Sequence, residues 1–225
     1  VRVAVFSDIH GNRDALEAVL ADIGAQRPDL IVCGGDLAFG GPDPDASVQR
    51  VMALASPCIH GNTDVWLTPT ATHGDEIVTW TRNRLTESSR AYLGGLPFEH
   101  RVENLVIIHA TPWSVSDVVP KDAGTAQVRR VLTEARASAV VYGHIHMAWI
   151  GEIPGVGLLV NAGSVGFPLD GDPRPSYALL ERDPGGWRAR ICRVSYDVGR
   201  AAASFPVDHP DRAAWARRMQ TARRA

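Results

Sequence analysis

Five short apolar runs punctuate the first two-thirds of this chain, and each leads into Asp, Asn or His. The runs are Val3–Phe6, Leu30–Cys33, Pro57–Ile59, Leu105–Ile108 and Val140–Tyr142. Near-continuous β-branched runs alternating with helical patterns are the mark of strands buried on both faces, in a parallel sheet flanked by helices. Behind the runs stand Asp8 and His10, Asp36, Asn62, His109, and His144 with His146. In open α/β sheets the ligand site lies beyond the carboxyl ends of the strands, so these seven side chains are expected to converge on one crevice. His144 and His146 are expected to present both imidazoles to one side, as residues i and i+2 do in an extended segment. Glycines at 11, 34, 35, 61 and 143 supply the tight turns that strand ends need.

Between the runs, Asn12 is a candidate N-cap for a helix with Leu16, Val19, Leu20 and Ile23 on one face, closed by Pro28. A second, short helix carries Val48, Val51, Met52 and Leu54. An insertion at about 63–101 reads as helical: Ile77, Val78 and Leu85 share a patch, and Thr86 caps a further helix that stops at Gly94 and Gly95. It is expected near the strand ends, where it would roof the site. In the last third, Met147–Ile153, Leu158–Asn161, Tyr177–Glu181 and Trp187–Val194 read as strands joined by Gly/Pro turns, hence an antiparallel or mixed sheet. The expected architecture is a four-layer α/β/β/α sandwich, two sheets with outer helices, forming one domain over residues 1–225.

Composition excludes several function classes. With 45% hydrophobic and 21% charged residues and a formal net charge of −2, the chain reads as an ordinary globular protein and no acidic partner is called for. Lys121 is the single lysine among 23 basic residues, and the arginines are scattered, so no stable nucleic-acid surface is expected. Cys33, Cys58 and Cys192 are too far apart to suggest a disulfide framework or a thiolate zinc site. The opening Val3–Phe6 run is too short for a signal segment, and no later run would span a membrane, which makes a cytoplasmic setting the expectation. P-loop and G-x-G-x-x-G patterns are absent.

Taken in order, DIH (Asp8, His10), GGD (Asp36), HGNTD (Asn62), IIHATP (His109) and GHIH (His144, His146) resemble the full motif set of the calcineurin-like metallophosphoesterases. The resemblance runs from Val3 to about Ser176, and NAGSVGFPLDGDPRPSYALLE is similar to a segment of the small bacterial, phosphodiesterase-type members. It implies two divalent cations roughly 3.5–4 Å apart. Asp8, His10 and His146 would hold the first, Asn62, His109 and His144 the second, and Asp36 would bridge them. Such a nitrogen and oxygen donor set suits Mn, Fe, Co, Zn or Ni, with Mn the first expectation. The implied reaction is attack of a metal-bridging hydroxide on phosphorus in a phosphodiester, a phosphoanhydride or an activated phosphomonoester, with a diester favoured. The substrate would be a small phosphate ester or a nucleotide.

One position departs from the broader family: many members carry His directly after the Asn, where it protonates the leaving oxygen, and here Thr63 stands. Threonine cannot act as that acid near pH 7. His60 is the candidate replacement. Thr63, Ser164 and Arg174 are the residues expected at the substrate, and the resemblance also places Asn161 near the site. Trp66 and Trp113 follow metal-site motifs and are expected in the core rather than stacked on a base, while His73 lies in the insertion. DRAAWARRMQTARRA, with Trp215 and Met219 at i and i+4, reads as a docked terminal helix. The rival reading, from a different class, is a catalytically silent scaffold for protein partners, as in the retromer subunit of this fold. A scaffold has no chemical reason to keep the complete donor set.

Overall fold

The computed structural model describes residues 1–68 and 70–223; Pro69 in the insertion, and Arg224 and Ala225 of the terminal helix pattern, lie outside the described residues. Two mixed sheets form its centre. The first contains β1 (Arg2–Phe6), β2 (Leu30–Cys33), β8 (Ser176–Asp183) and β9 (Gly186–Arg193) in the order β2-β1-β8-β9. The second contains β3 (Glu99–Val102), β4 (Leu105–Ile108), β5 (Ala139–Tyr142), β6 (Trp149–Ile153) and β7 (Gly157–Asn161) in the order β3-β4-β5-β7-β6.

The expected parallel sheet is therefore divided. β1 pairs with β2 in parallel in one sheet, and β4, β5 and β7 run parallel in the other. The C-terminal strands are shared out as antiparallel partners, β8 on β1 and β6 on β7. An apolar run records burial on both faces but not the identity of its neighbour, and for that reason the split was invisible in the sequence. Pro57–Ile59 is not a strand of either sheet: it makes a single parallel bridge, Cys33 opposite Cys58, before the chain turns away. The end of the supposed helical insertion, Glu99–Arg101, instead pairs in β3 with β4 across a turn at Glu103.

Alternation along each strand builds three apolar layers. Val3 and Val5 of β1 meet Leu105, Ile107, Val141 and Val160 between the two sheets. Ala4 and Phe6 point the other way, onto Leu16, Val19 and Ile23 of α1 (Arg13–Gln26) and Val48 and Val51 of α2 (Pro44–Met52). Val106, Ile108, Val140 and Tyr142 turn outward onto Val128, Val131 and Leu132 of α6 (Thr125–Ala135). With period-2 strands buried on both faces, the four-layer α/β/β/α order follows. The insertion supplies α3 (Asn62–Trp66), α4 (Glu76–Arg84) and α5 (Glu87–Gly94), with Thr86 as the cap of α5. Here α4 packs on α2, and α5 packs on α2 and α3, so the later helices of the insertion lie against α2. The chain closes with α7 (Val198–Ala203) and α8 (Arg212–Thr221). No helix among the described residues is long and apolar enough to cross a membrane.

Asn12 ties β1 to its surroundings. Its Oδ1 accepts from Ala15 N at 3.1 Å, and its Nδ2 donates to Gly166 O and to the Tyr196 hydroxyl at 3.1 and 3.0 Å. Loss of the cap and of two buried bonds should make Asn12→Ala about 2–3 kcal/mol less stable in urea unfolding at unchanged m value. A loss below about 0.5 kcal/mol would show that the cap carries nothing.

Candidate metal centre

The strand ends do not simply stop at the seven polar residues; the backbone is bent there into an uncommon conformation. Asp8, His10, Asp36, His144 and His146 have φ of 59°, 48°, 57°, 66° and 57°. That left-handed region is unfavourable for residues with a Cβ, and it persists only where the surroundings enforce it. For Asp8, His10 and Asp36, enforcement comes from a zipper between two loops, in which Asp8 N donates to Gly35 O, His10 N to Asp36 O and Gly11 N to Leu37 O at 2.9–3.0 Å, while His144 N–H donates to the Asp8 carboxylate at 3.1–3.2 Å. The Asp64 carboxylate then accepts three backbone N–H groups, from Asp36 and Gly61 on Oδ2 (2.7 and 2.9 Å) and from Leu37 on Oδ1 (2.9 Å). A Cβ on Gly61 would overlap the Asp36 carboxylate, and one on Gly143 would overlap that of Asp8.

The seven side chains come together, but not through the extended geometry expected for the paired histidines. Tyr142 ends β5, and both His144 and His146 lie in the left-handed region beyond it. They present different atoms. In His10, His109 and His146 the Nδ1 faces a backbone carbonyl, of Phe39 (3.0 Å), Gly34 (2.9 Å) and Phe167 (2.6 Å). In His144 it is Nε2 that faces a carbonyl, that of Ser116 at 3.2 Å. Each carbonyl requires the ring proton on the nitrogen it faces, which leaves the opposite nitrogen a bare lone pair.

Those lone pairs form two acceptor clusters. In one, His10 Nε2 lies 3.0 Å from His146 Nε2, which is 3.2 Å from Asp8 Oδ1. In the other, Asn62 Oδ1 lies 3.1 Å from His109 Nε2 and 2.9 Å from His144 Nδ1. Asp36 stands between: Thr63 N–H occupies its Oδ1 at 2.9 Å, while Oδ2 is 3.6 Å from both His10 Nε2 and His109 Nε2. Acceptors facing acceptors repel unless a proton or a cation lies between them. Two ligands about 2.1 Å from one ion and at right angles to each other stand roughly 3 Å apart, so the donor set fits a divalent cation in each cluster. Asp8, His10 and His146 form one carboxylate and imidazole group of metal-binding size, and Asp8, Asp36 and His109 form another that overlaps it.

Protonation reflects the same crowding. Burial and then neighbouring His146 pull His10 down to about 4. For His146, burial opposes the charged form but is outweighed by Asp8, the Phe167 carbonyl and Asp36, and the net shift is upward. His109 is likewise raised, Asp36 and Asp8 outweighing its burial. His144 is lowered, by burial and then by His109. Asp8, although burial resists its charge, is held well below the ordinary carboxylate range by His146 and the other imidazoles. Asp64 is pushed up to about 7 by burial and by the charge on Asp36, against the pull of its three N–H bonds.

The remaining candidates separate from the seven. Ser164 is committed elsewhere: its hydroxyl donates to Asp8 O and accepts from Phe167 N, both at 2.8 Å, which braces the strained Asp8 backbone. The half-exposed Arg174 guanidinium pairs with Asp172, at 2.7 Å from Nη2. Asn161 donates to Gly143 O at 2.6 Å and holds the turn before His144. His60 is half-buried, with Nδ1 enclosed and unpartnered; burial lowers its pKa. Thr63 is buried and its Oγ1 has no partner, so its contribution to the centre is its N–H. Trp113, expected in the core, is 40% exposed with Arg130 over its ring, whereas Trp66 packs on Phe39 and His73. Asp64 was the residue missed: its position after Asn62 was visible, but its bonds to Asp36 and Leu37 span 28 and 27 residues.

A sequence model described as the calcineurin-like phosphoesterase superfamily domain matches residues 1–185. The chain is 27% identical to an uncharacterized protein of Methanocaldococcus jannaschii over 88% of its own length and 89% of the relative's. A crystal structure of a metallophosphoesterase from Sphaerobacter thermophilus superimposes with a TM-score of 0.82 at 24% identity, over 99% of both chains. A hypothetical protein from Pyrococcus horikoshii gives 0.86 at 18% identity, over 100% of this chain and 99% of that one.

A cation taken up by these clusters would have to compete with protons. His109 and His146 are shifted upward, so they hold protons to higher pH than a free imidazole and must release them to bind a metal. Affinity for Mn²⁺ should therefore rise with pH through the imidazole range and fall by about tenfold or more per unit below it, with one to two protons released per protein. Titration calorimetry between pH 6 and 8 in buffers of different ionisation enthalpy measures both; affinity independent of pH would contradict the arrangement.

Proposed function

This chain belongs to the calcineurin-like phosphoesterase superfamily, and from that membership we propose that it hydrolyses phosphate esters at a centre of two divalent cations. The observation that carries the reading is the pair of acceptor-only clusters joined by Asp36, whose free oxygen is 3.6 Å from an imidazole nitrogen of each. Asp8, His10 and His146 hold one cation, Asn62, His109 and His144 the other, and Asp36 both. Mn²⁺ is the ion proposed, with Fe, Zn, Co or Ni compatible with the same donors. When bound, such a pair supplies a water acidified to near neutral pH and positive charge against the phosphate oxygens.

The chain's own residues then have distinct tasks. The four backbone carbonyls fix which nitrogen of each imidazole faces inward, so the donors need not reorganise on loading. Thr63 N–H leaves Asp36 one oxygen for both cations, and Asp64 keeps the Asp36 backbone in its left-handed conformation. No imidazole follows Asn62, so departure of an alkoxide lacks its usual proton donor. The substrate class proposed is accordingly an activated phosphodiester such as an aryl diester, a nucleotide anhydride such as a dinucleoside polyphosphate, or an activated phosphomonoester, whose leaving group departs largely unprotonated. The setting proposed is the cytoplasm, consistent with three free, buried cysteines among the described residues. The silent-scaffold reading is disfavoured by the cost of holding the lone pairs of His10 and His146, and of Asn62, His109 and His144, against one another without a cation.

Two results test this. Asp36→Asn should leave a folded protein, by circular dichroism and cooperative unfolding, that has lost metal-dependent phosphoesterase activity. Turnover by metal-stripped wild type, or no turnover of any monoester, diester or dinucleoside polyphosphate in excess Mn²⁺, would refute the proposal. In the wild type, kcat/KM on aryl diesters should climb steeply as leaving-group pKa falls, and Thr63→His should raise the rate on poor leaving groups by up to roughly 10²-fold while changing activated ones little. A flat dependence would show that another group, with His60 the first to examine, already supplies the proton.

A further inference from the structure

We propose that the C-terminal helix α8, through Trp215, is a positioning element for one half of the metal centre, that of Asp8, His10 and His146. The inference rests on the two-cation reading above. It concerns residues beyond the 1–185 matched by the family's sequence model.

His10 and His146 are oriented by the carbonyls of Phe39 and Phe167. The side chains of those same two residues meet at Trp215. Its ring stands edge-on to Phe39 at 5.6 Å and 76°, and to Phe167 at 4.9 Å and 81°. Both phenyl rings in turn stand edge-on to His10, at 6.2 and 6.0 Å. Trp215 is thus a wedge between two loops, each of which hands a carbonyl to one imidazole. The wedge also reaches the backbone: a Cβ on Gly40, which has φ of 78°, would overlap the indole ring, so only glycine lets the indole lie on the peptide after Phe39. His209, in the turn before α8, closes the same loop from the side by donating Nε2–H to Gly40 O at 3.0 Å.

Two observations separate this from ordinary packing. The other half of the centre takes its orienting carbonyls from Gly34 and Ser116, which lie outside the aromatic cluster of Trp215, Phe167, Phe205 and Phe39. A defect at Trp215 should therefore act on one cation and spare the other. The indole Nε1 is buried without a partner among the described residues. Its N–H contributes no bond, so the ring's shape is what is used, and Trp215→Phe should preserve much of the effect. Residues that orient ligands from behind typically change metal affinity by 10- to 100-fold, a size that titration resolves.

The test uses the full chain, stripped of metal and titrated with Mn²⁺, as wild type, Trp215→Ala, Trp215→Leu and Trp215→Phe. Urea unfolding establishes that each variant is folded. Wild type should bind two equivalents. Trp215→Ala should bind one of them roughly 10- to 100-fold more weakly and the other within about threefold of wild type. Repeating the titration in His109→Ala, which dismantles the opposite half, assigns the weakened step. Trp215→Phe should recover most of the loss. If Trp215→Ala does not fold, Trp215→Leu, which keeps apolar bulk without the ring, should show the same selective loss. Equal weakening of both steps, unchanged affinity in a folded Ala or Leu variant, or a Phe variant as impaired as Ala would overturn the inference while leaving the two-cation centre standing. A wild type that binds no Mn²⁺ would overturn both.

Discussion

Much that is distinctive about this structure follows from one constraint, that the inward-facing lone pairs of four imidazoles and the Asn62 amide oxygen must be held face to face. His10 Nε2 and His146 Nε2 at 3.0 Å, and Asn62 Oδ1 within 3.1 Å of two imidazole nitrogens, are contacts that a protein without a cation or an extra proton has every reason to avoid. Holding them costs backbone strain at Asp8, His10, Asp36, His144 and His146, all in the left-handed region. It also occupies the polar groups behind them: Ser164 under Asp8, Asp64 under Asp36, and four carbonyls under the imidazoles.

The two-sheet architecture serves that constraint. Asp8, His10 and Asp36 come from the ends of β1 and β2 in one sheet, and His109, His144 and His146 from the ends of β4 and β5 in the other. Asn62 opens α3, held beside Asp36 by the Asp64 carboxylate and Thr63 N–H. Packing Val3 and Val5 against Ile107 and Val141 between the sheets brings the two sets of strand ends level, and Asp36 joins them. The centre therefore depends on the inter-sheet core as much as on its own hydrogen bonds.

Much of this was legible in the sequence, for a local reason. A strand buried on both faces is a continuous apolar run, so a polar residue at its end is conspicuous, and Asp8, Asp36, His109 and His144 stood out. Helix caps at Asn12 and Thr86 were visible for the same reason. What could not be read was whatever depends on a distant partner. Strand allocation between sheets, the pairing of Glu99–Val102 with β4, and the failure of Pro57–Ile59 to join a sheet are decided by neighbours far along the chain. The role of Ser164 depends on a carbonyl 156 residues away. The geometry of His144 and His146 was misjudged because period-2 reasoning stops where the strand does, at Tyr142.

The central claim is that Asp36 joins two cation sites, and anomalous diffraction from crystals equilibrated with Mn²⁺ tests it most directly. The account predicts two peaks roughly 3.5–4 Å apart, one beside Asp8, His10 and His146, the other beside Asn62, His109 and His144, with Asp36 Oδ2 between them. A single peak, none at saturating metal, or two peaks that do not share Asp36 would contradict it.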